Sequence, residues 1–175
     1  MIIEPDALAL AAEEVVEMAV SNDSKYDGLI VAAFGDPGLA QVQKRCRTPA
    51  VGIVESSIRE ASAGGRRFGI ATTTPALKAA IEQRVTSLGL SAQYTGLRIL
   101  TSADPADLVK DKDRLRDALA DLVHQCVDHD GAQAVIIGGG PLSEAARDLE
   151  PLFSIPIVPP IPAAIRSILA ILPRT

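Results

Sequence analysis

Short apolar runs alternate with amphipathic stretches along this chain of 175 residues. The run at residues 29–32 is too short for a helix and has no polar position, which is typical of a parallel strand covered on both faces. Similar runs predict strands at residues 29–32, 50–54, 68–71, 93–100, 134–137 and 155–158. Apolar positions at helical spacing predict helices at residues 6–20, 38–45, 55–63, 75–88, 113–128, 143–149 and 163–172, and a helical piece that starts at Asp104-Pro105.

The alternation of strands and helices predicts an α/β fold with doubly wound parallel sheets. Two segments share the order strand, turn, helix and proline-led strand. Leu29 and Val135 are 106 positions apart, and Pro49 and Pro156 are 107 apart. This offset predicts two pseudo-symmetric halves, residues 1–65 and 66–160, with residues 161–175 forming a helix that packs back on the first half. The alternative is that all strand–helix–strand units simply look alike.

The turns that follow the predicted strands carry the candidate binding residues. In open α/β sheets, ligands bind beyond the carboxyl ends of the strands. Hydroxyl groups and free backbone N–H groups at such turns suit a small carboxylate or a cyclic imide. We therefore expect the pocket to be lined by Ala33, Phe34, Gly35, Asp36, Glu55, Thr72, Thr73, Gly138, Gly139 and Gly140.

Two carboxylates in these turns are candidates for proton transfer, and each also has a structural interpretation. Asp36-Pro37-Gly38 has the composition of a helix start, with a carboxylate at the N-cap and a proline at the first helical position. Asp36 is therefore either that cap or an acid or base at the floor of the pocket. Glu55 either contacts the substrate or is a first-turn acid of the helix predicted at 55–63.

The threonines and glycines of these turns also allow two interpretations. Thr72 and Thr73 are candidate anion ligands, although threonines after a strand often cap the next helix. Gly138-Gly139-Gly140 lacks the spacing of a dinucleotide-binding loop and the lysine of a phosphate-binding loop. It predicts either a close approach of the backbone to a small ligand or a tight turn between strand and helix.

Composition narrows the class of partner. The net charge is −5, aromatic residues make up 3% of the chain, and no run of five or more basic residues occurs, so nucleic-acid binding is not expected. The longest apolar stretch is broken by prolines, which argues against a membrane span. Cys46 and Cys126 are too few for a disulfide scaffold and indicate a reducing, cytoplasmic location. The spacing of His124 and His129 matches no zinc motif, so no metal is assigned.

Several of these motifs occur together and in order. The chain has AFGDPGL after an apolar strand, then VGI-x-E, then F-x-x-x-TT-x-P, and finally an apolar strand that leads into a turn of small residues. In this it resembles the aspartate/glutamate/hydantoin racemase superfamily, and most of all its hydantoin and allantoin racemase branch. The resemblance implies two pseudo-symmetric α/β halves around one active site. It also implies cofactor-free proton transfer at a carbon beside a carbonyl, carried out by two cysteine thiols.

The chain departs from that family at both thiols. Ala33 and Gly139 stand at the positions where the resemblance places the cysteines, and neither Cys46 nor Cys126 matches them. The family's first strand, with its Asn-Pro-Asn turn, has no counterpart, so we expect a truncated first half. An incomplete first sheet would leave an edge free to pair, which leaves a homo-oligomer open.

Three functional hypotheses follow from this comparison. The first is a racemase or epimerase of an amino acid or derivative, such as a 5-substituted hydantoin or allantoin, with Asp36 and Glu55 as the candidate catalytic groups. The second is a catalytically silent module that binds a small carboxylate or imide. The third is a relative that decarboxylates or isomerises a small diacid.

Overall fold

The computed structural model describes residues 5–100, 111–139 and 142–173. The predicted helical piece at Asp104-Pro105 and the turn residue Gly140 lie outside these ranges. The elements are α1 (Pro5–Ser21), β1 (Leu29–Val31), α2 (Leu39–Arg45), β2 (Ala50–Gly52), α3 (Ile53–Ala61), β3 (Phe68–Thr72), α4 (Lys78–Ser87), β4 (Tyr94–Ile99), α5 (Lys112–His124), β5 (Ala134–Gly138), α6 (Ser143–Leu149), β6 (Ile157–Val158) and α7 (Pro160–Ile171).

The strands form two parallel sheets. β1 and β2 pair with Leu29 opposite Ala50, and the larger sheet has the order β4-β3-β5-β6. Within the larger sheet, Phe68 is opposite Ala134 and Thr72 is opposite Gly138, so β3 and β5 end at the same level. Because all pairs are parallel, the carboxyl ends of the strands in each sheet share one edge. The predicted α/β fold with parallel sheets is confirmed.

Helices cover both faces of the larger sheet, and three apolar clusters result. One cluster joins β2, α3, β3, β5 and α7, and includes the fully buried side chains of Ile58, Phe68 and Ile136. A second lies on the opposite face of the larger sheet against α5 and α6, around Leu119 and Ile137. The third joins α1, α2 and β1. Every residue of the two central strands, β3 and β5, is therefore buried, and all of them except Thr72 are apolar.

The second strand ends earlier than the sequence predicts. The strand was predicted over residues 50–54, but β2 stops at Gly52 and α3 begins at Ile53. Val54 was predicted as the last residue of the strand and instead lies in the first turn of α3. The reason lies outside this segment, since the side chain of Asp36 accepts hydrogen bonds from the backbone N–H groups of Val54 and Glu55.

The last helix lies against elements from both sheets. α7 contacts α3 most extensively and also touches β1, β2 and β5. The division of the chain at residues 65 and 160 into two halves stays a prediction. In the described part of the chain, no helix has both the length and the apolar character needed to cross a membrane.

Candidate active site

The turns that follow β1 and β5 meet. A Cβ atom placed on Gly138 would lie 2.8 Å from the ring of Phe34 and 3.2 Å from the side chain of Thr72, so only glycine fits there. The Thr72 hydroxyl donates a hydrogen bond of 2.8 Å to the Gly138 carbonyl oxygen. The structure thus brings together three of the strand-end residues that the sequence proposed for the pocket.

Ala33 and Gly139 flank this contact. Ala33 directly precedes Phe34, Gly139 directly follows Gly138, and both residues are half-buried. Neither carries a group that exchanges a proton. Gly139 has a φ of +136°, a backbone conformation that residues with a side chain rarely adopt. The two sites where the resemblance expects thiols therefore lie at adjacent turns, and one of them is shaped for glycine.

Asp36 does not cap the helix that follows it, and that prediction was wrong. α2 begins at Leu39 after Gly38, without a side-chain cap, and Pro37 precedes it rather than occupying its first turn. Asp36 has a φ of +51°, which directs its side chain away from α2. Its two carboxylate oxygens accept hydrogen bonds from the backbone N–H groups of Val54, at 2.9 Å, and Glu55, at 2.7 Å. It therefore caps α3, the next helix along the chain.

The end of β2 is shaped around this carboxylate. A Cβ atom on Gly52 would lie only 2.2 Å from Cγ of Asp36, so a side chain at this position would displace the carboxylate. Gly52 is also the residue before α3, with extended backbone angles. The absence of a side chain at residue 52 thus lets the Asp36 carboxylate reach the first free N–H groups of α3.

Burial controls the protonation of Asp36. The residue is 2% exposed, and this burial raises the pKa of its carboxyl to about 6. The two N–H groups and the nearby Arg84 act in the opposite direction, because each favours the charged form. Arg84 Nε lies 3.7 Å from Asp36 Oδ2, and Arg84 Nη2 donates to the Asp36 carbonyl oxygen at 3.4 Å.

Glu55 belongs to the same charged cluster. It occupies the first turn of α3, where its negative charge interacts favourably with the positive end of the helix dipole. Its carboxylate pairs with Arg59 at 2.8 Å on the same helix and lies 3.9 Å from Arg84 on α4. The structure therefore brings both predicted carboxylates together, and Arg84 is the shared cation.

Arg84 was not among the residues singled out from the sequence. Its position in the helical pattern could have indicated it, because Arg84 lies three positions after Ile81 and next to Val85. Both of these residues are buried on α4. A charged residue among inward positions of a helix indicates a buried partner. The identity of that partner, 48 positions away, could not be predicted from local pattern.

Three of the candidate residues, Ala33, Gly35 and Asp36, line two separate depressions. Gly35, Asp36 and Arg84 line a cavity of about 400 Å³ between α2 and α4, with Leu8 at its side. Ala33 lines an apolar groove of about 360 Å³ along β1. The Thr72 hydroxyl donates its hydrogen bond to the Gly138 carbonyl oxygen and also accepts one from the Thr74 N–H at 3.3 Å. A ligand-binding role for Thr72 and for the neighbouring, buried Thr73 stays a prediction.

The two cysteines lie away from these turns. Cys46 is half-buried at the end of α2, and Cys126 is fully buried, where burial raises the pKa of its thiol to about 12. Such a thiol is protonated and unreactive at neutral pH. Within residues 5–100, 111–139 and 142–173, no group of three or more His, Cys, Asp and Glu side chains is arranged to hold a metal ion.

Comparison with known proteins identifies the family. The sequence profile of the Asp/Glu/Hydantoin racemase family matches residues 1–168. The chain belongs to this family. It is 28% identical over 152 residues to a hydantoin racemase of Pseudomonas sp. (strain NS671), covering 87% of this chain and 61% of that protein. It is 26% identical over 153 residues to a hydantoin racemase of Paenarthrobacter aurescens, covering 87% and 64%.

Solved structures show the same fold. Allantoin racemase from Klebsiella pneumoniae superposes with a TM-score of 0.87 at 23% identity, covering 97% of this chain and 69% of that one. Arylmalonate decarboxylase superposes with a TM-score of 0.64 at 16% identity, covering 94% and 76%. This family member spans less than two thirds of the length of the curated hydantoin racemases that it matches.

The role of Asp36 as a cap for α3 predicts the effect of removing it. Asp36→Ala leaves two N–H groups at the start of α3 without an acceptor, so we expect the free energy of unfolding to fall by about 2–3 kcal/mol. Urea denaturation at acidic pH, below the raised pKa of Asp36, followed by circular dichroism, measures this change. Glu144→Ala is the matched control, because Glu144 is an exposed first-turn acid of α6 and should cost less than about 0.5 kcal/mol. Equal effects of the two substitutions would contradict the assigned cap.

The raised pKa of Asp36 predicts a pH dependence. The folded state binds the Asp36 proton more tightly than the unfolded state does. The stability that this proton contributes is therefore complete below the ordinary pKa of 3.8, and it is lost as pH rises through about 6. We expect the wild-type protein to lose up to about 3 kcal/mol relative to Asp36→Asn between these limits. Urea unfolding of both proteins at pH 4–7 gives the difference. A difference that grows in favour of the wild type would show that the N–H groups and Arg84 outweigh burial.

Proposed function

We propose that this chain acts as a cofactor-independent racemase or epimerase on an amino acid or derivative, such as a 5-substituted hydantoin or allantoin. The reaction is proton transfer at a carbon beside a carbonyl. The single observation that carries this proposal is the contact between Phe34 and Gly138, which joins two strand-end turns in a member of this family. The names of the relatives, hydantoin racemase and allantoin racemase, supply the substrate class.

The proposed substrate, a small carboxylate or cyclic imide, binds between the turns after β1 and β5. The backbone near Gly139 approaches it closely, because the residue has no side chain and its neighbour Gly138 has no room for one. The proposed binding residues are Ala33, Phe34, Gly35, Thr72, Thr73, Gly138, Gly139 and Gly140. The two free cysteines support a reducing compartment such as the cytoplasm.

The proposed proton-transfer groups are Asp36 and Glu55, since no thiol stands at residue 33 or 139. A carboxyl with a pKa of about 6 is half-ionised close to neutral pH, which suits a general base. Glu55 is 16% exposed at its side chain and can be reached from solvent. Arg84, which lies near both carboxylates, would stabilise negative charge that develops on the substrate.

A second candidate function is a silent module that binds the same class of small molecule. Two observations favour it. Ala33 and Gly139 carry no acid or base, and both oxygens of the Asp36 carboxylate are engaged by N–H groups of α3. A binding module needs the pocket but not the proton transfer, so the two candidates differ in one measurable property.

That property is exchange of the substrate's α-proton with solvent. We expect the protein, incubated in heavy water with single enantiomers of 5-substituted hydantoins, allantoin, aspartate and glutamate, to exchange one of these protons faster than a heat-killed control. NMR follows the loss of the proton signal. Glu55→Gln and Asp36→Asn should each lower the rate by about 10²-fold or more if the residue is the base.

The control variant for this experiment is Glu82→Gln, because Glu82 is exposed on α4 and pairs with Lys78 away from the candidate turns. It should leave the exchange rate unchanged. No exchange from protein shown to be folded by circular dichroism would reject the racemase and favour the silent module. A ligand-induced rise in melting temperature with one of the same compounds would then identify the bound class.

Restoring the thiols tests whether the pocket keeps the geometry of the family. We expect the double variant Ala33→Cys with Gly139→Cys to racemise a single enantiomer of the substrate faster than the wild type, as measured by optical rotation. The φ of +136° at Gly139 makes that substitution strained, so the double variant should also unfold about 1–3 kcal/mol more easily than Ala33→Cys alone. Ala33→Cys alone is the control, since one thiol cannot serve both faces of the carbon. A folded double variant without increased racemisation would contradict the shared geometry.

A further inference from the structure

Thr72, the last residue of β3, joins the ends of three neighbouring strands. Its hydroxyl donates a hydrogen bond of 2.8 Å to the carbonyl oxygen of Gly138 and accepts one of 3.3 Å from the N–H of Thr74. Its carbonyl oxygen accepts the N–H of Leu100, the residue after β4, at 2.9 Å. The turns that follow β3 and β5 are therefore connected through this one side chain.

The Thr72 side chain is enclosed by its neighbours. The residue is 0% exposed. A hydroxyl has a single hydrogen to donate, and in Thr72 that hydrogen is committed to the Gly138 carbonyl oxygen. What Thr72 contributes to a binding site therefore passes through the backbone groups that it holds.

The hydrogen bond from Thr72 sets the direction of the next backbone donor. The carbonyl of Gly138 and the N–H of Gly139 belong to one planar trans peptide, so they point in opposite directions. Because the Gly138 carbonyl points toward Thr72 on β3, the Gly139 N–H points away from β3.

The Gly139 N–H faces the space beyond the end of β6. On that side of β5 the N–H of Val135 donates to the carbonyl oxygen of Pro156 at 3.0 Å, and alternate residues of a strand point the same way. β6 ends at Val158, which is opposite Ile136, so Gly139 extends past it. Among the described residues, no oxygen accepts the Gly139 N–H. This donor lies at the carboxyl edge of the sheet, where ligands of open α/β sheets bind.

Packing holds the same peptide in place. A Cβ atom on Gly138 would lie 2.8 Å from the ring of Phe34 and 3.2 Å from Cβ of Thr72, so these two side chains enclose the glycine. The carbonyl oxygen of Gly139 accepts the N–H of Leu142 at 3.1 Å, which closes the turn. The hydroxyl of Thr72 adds the hydrogen bond that fixes how the enclosed peptide is oriented.

We propose that Thr72 is a positioning residue of the candidate active site. Its hydroxyl holds the Gly138–Gly139 peptide so that the Gly139 N–H donates a hydrogen bond to an oxygen of the substrate. The inference rests on the proposed function, because that function places a small carboxylate or cyclic imide beside the turn after β5. An oxygen of either compound supplies the acceptor that a half-buried N–H needs.

Removal of the hydroxyl without a change of shape tests this role. Thr72→Val leaves the Gly138 carbonyl without its donor, whereas Thr72→Ser keeps the hydroxyl. We expect Thr72→Val to lower kcat/KM for α-proton exchange about tenfold, mainly through KM, because the substrate loses one hydrogen bond in its bound state. Thr72→Ser should stay within about threefold of the wild type.

Thr95→Val is the matched control for a purely structural effect. The Thr95 hydroxyl donates to the carbonyl oxygen of Phe68 at 3.1 Å, which is the same kind of hydrogen bond at the opposite end of β3. Thr95→Val should lose stability to urea as Thr72→Val does, but it should keep the kcat/KM of the wild type. Equal losses of kcat/KM in the two valine variants would overturn the positioning role.

An NMR signal reports the orientation of the peptide without any activity. Glycine labelled with ¹³C at its carbonyl and with ¹⁵N selects the amides that follow a glycine, which are those of Gly65, Gly139 and Gly140. We expect the Gly139 amide signal to move in Thr72→Val and to keep its position in Thr72→Ser. Allantoin or 5-methylhydantoin, whichever the wild type exchanges or binds, should move the Gly139 signal. The signal of Gly65, in the exposed turn before β3, should not respond.

The outcomes separate the role of Thr72 from the proposed function. Wild-type kcat/KM in Thr72→Val would overturn the role of Thr72 and leave the proposed function standing. A Gly139 signal that stays in place in Thr72→Val would also overturn that role, whether or not the protein is active. Folded wild type that neither exchanges nor binds these compounds would reject the proposed function and the inference together. If Thr72→Val does not fold, the response of the wild-type Gly139 signal to the bound compound decides.

Discussion

The buried carboxylate of Asp36 is the interaction on which the candidate site depends. It joins the turn after β1 to the start of α3, and Arg84 of α4 approaches it from a third element. The carboxylate therefore fixes the position of Glu55 and of the turn that carries Ala33. Burial raises the pKa of this carboxyl, although the two N–H groups and Arg84 favour its charged form.

The sequence predicted what depends on local pattern. The apolar runs of β1, β3 and β5 identified the strands, and the helical spacing of Leu115, Leu119 and Leu122 identified α5, because burial on a sheet or a helix face leaves a period in the sequence. The turns after β1 and β5 were found for the same reason. β1 and β5 belong to different sheets, so the contact through Phe34 and Gly138 is one between the two sheets.

The sequence could not predict what depends on contacts between distant residues. Asp36-Pro37-Gly38 has the local composition of a cap, but the positive φ of Asp36 turns its side chain toward α3. The early end of β2 has the same cause, since Asp36 supplies acceptors to residues 18 and 19 positions further on. Arg84 shows the limit most clearly, because no periodicity of α4 indicates which carboxylate it meets.

Gly52 and Asp36 constrain the order in which this chain can change. A side chain at residue 52 would occupy the space of the Asp36 carboxylate, at 2.2 Å from its Cγ. If Asp36 is present, substitution of Gly52 destabilises the fold both by the clash and by loss of the cap. If Asp36 has already been replaced, the same substitution adds less destabilisation, because the cap is gone and the carboxylate no longer occupies the space. A larger residue at 52 would therefore be accommodated more easily after the carboxylate at 36 had been replaced. Reversion at 36 would then be blocked by the new side chain, so the step is an evolutionary ratchet.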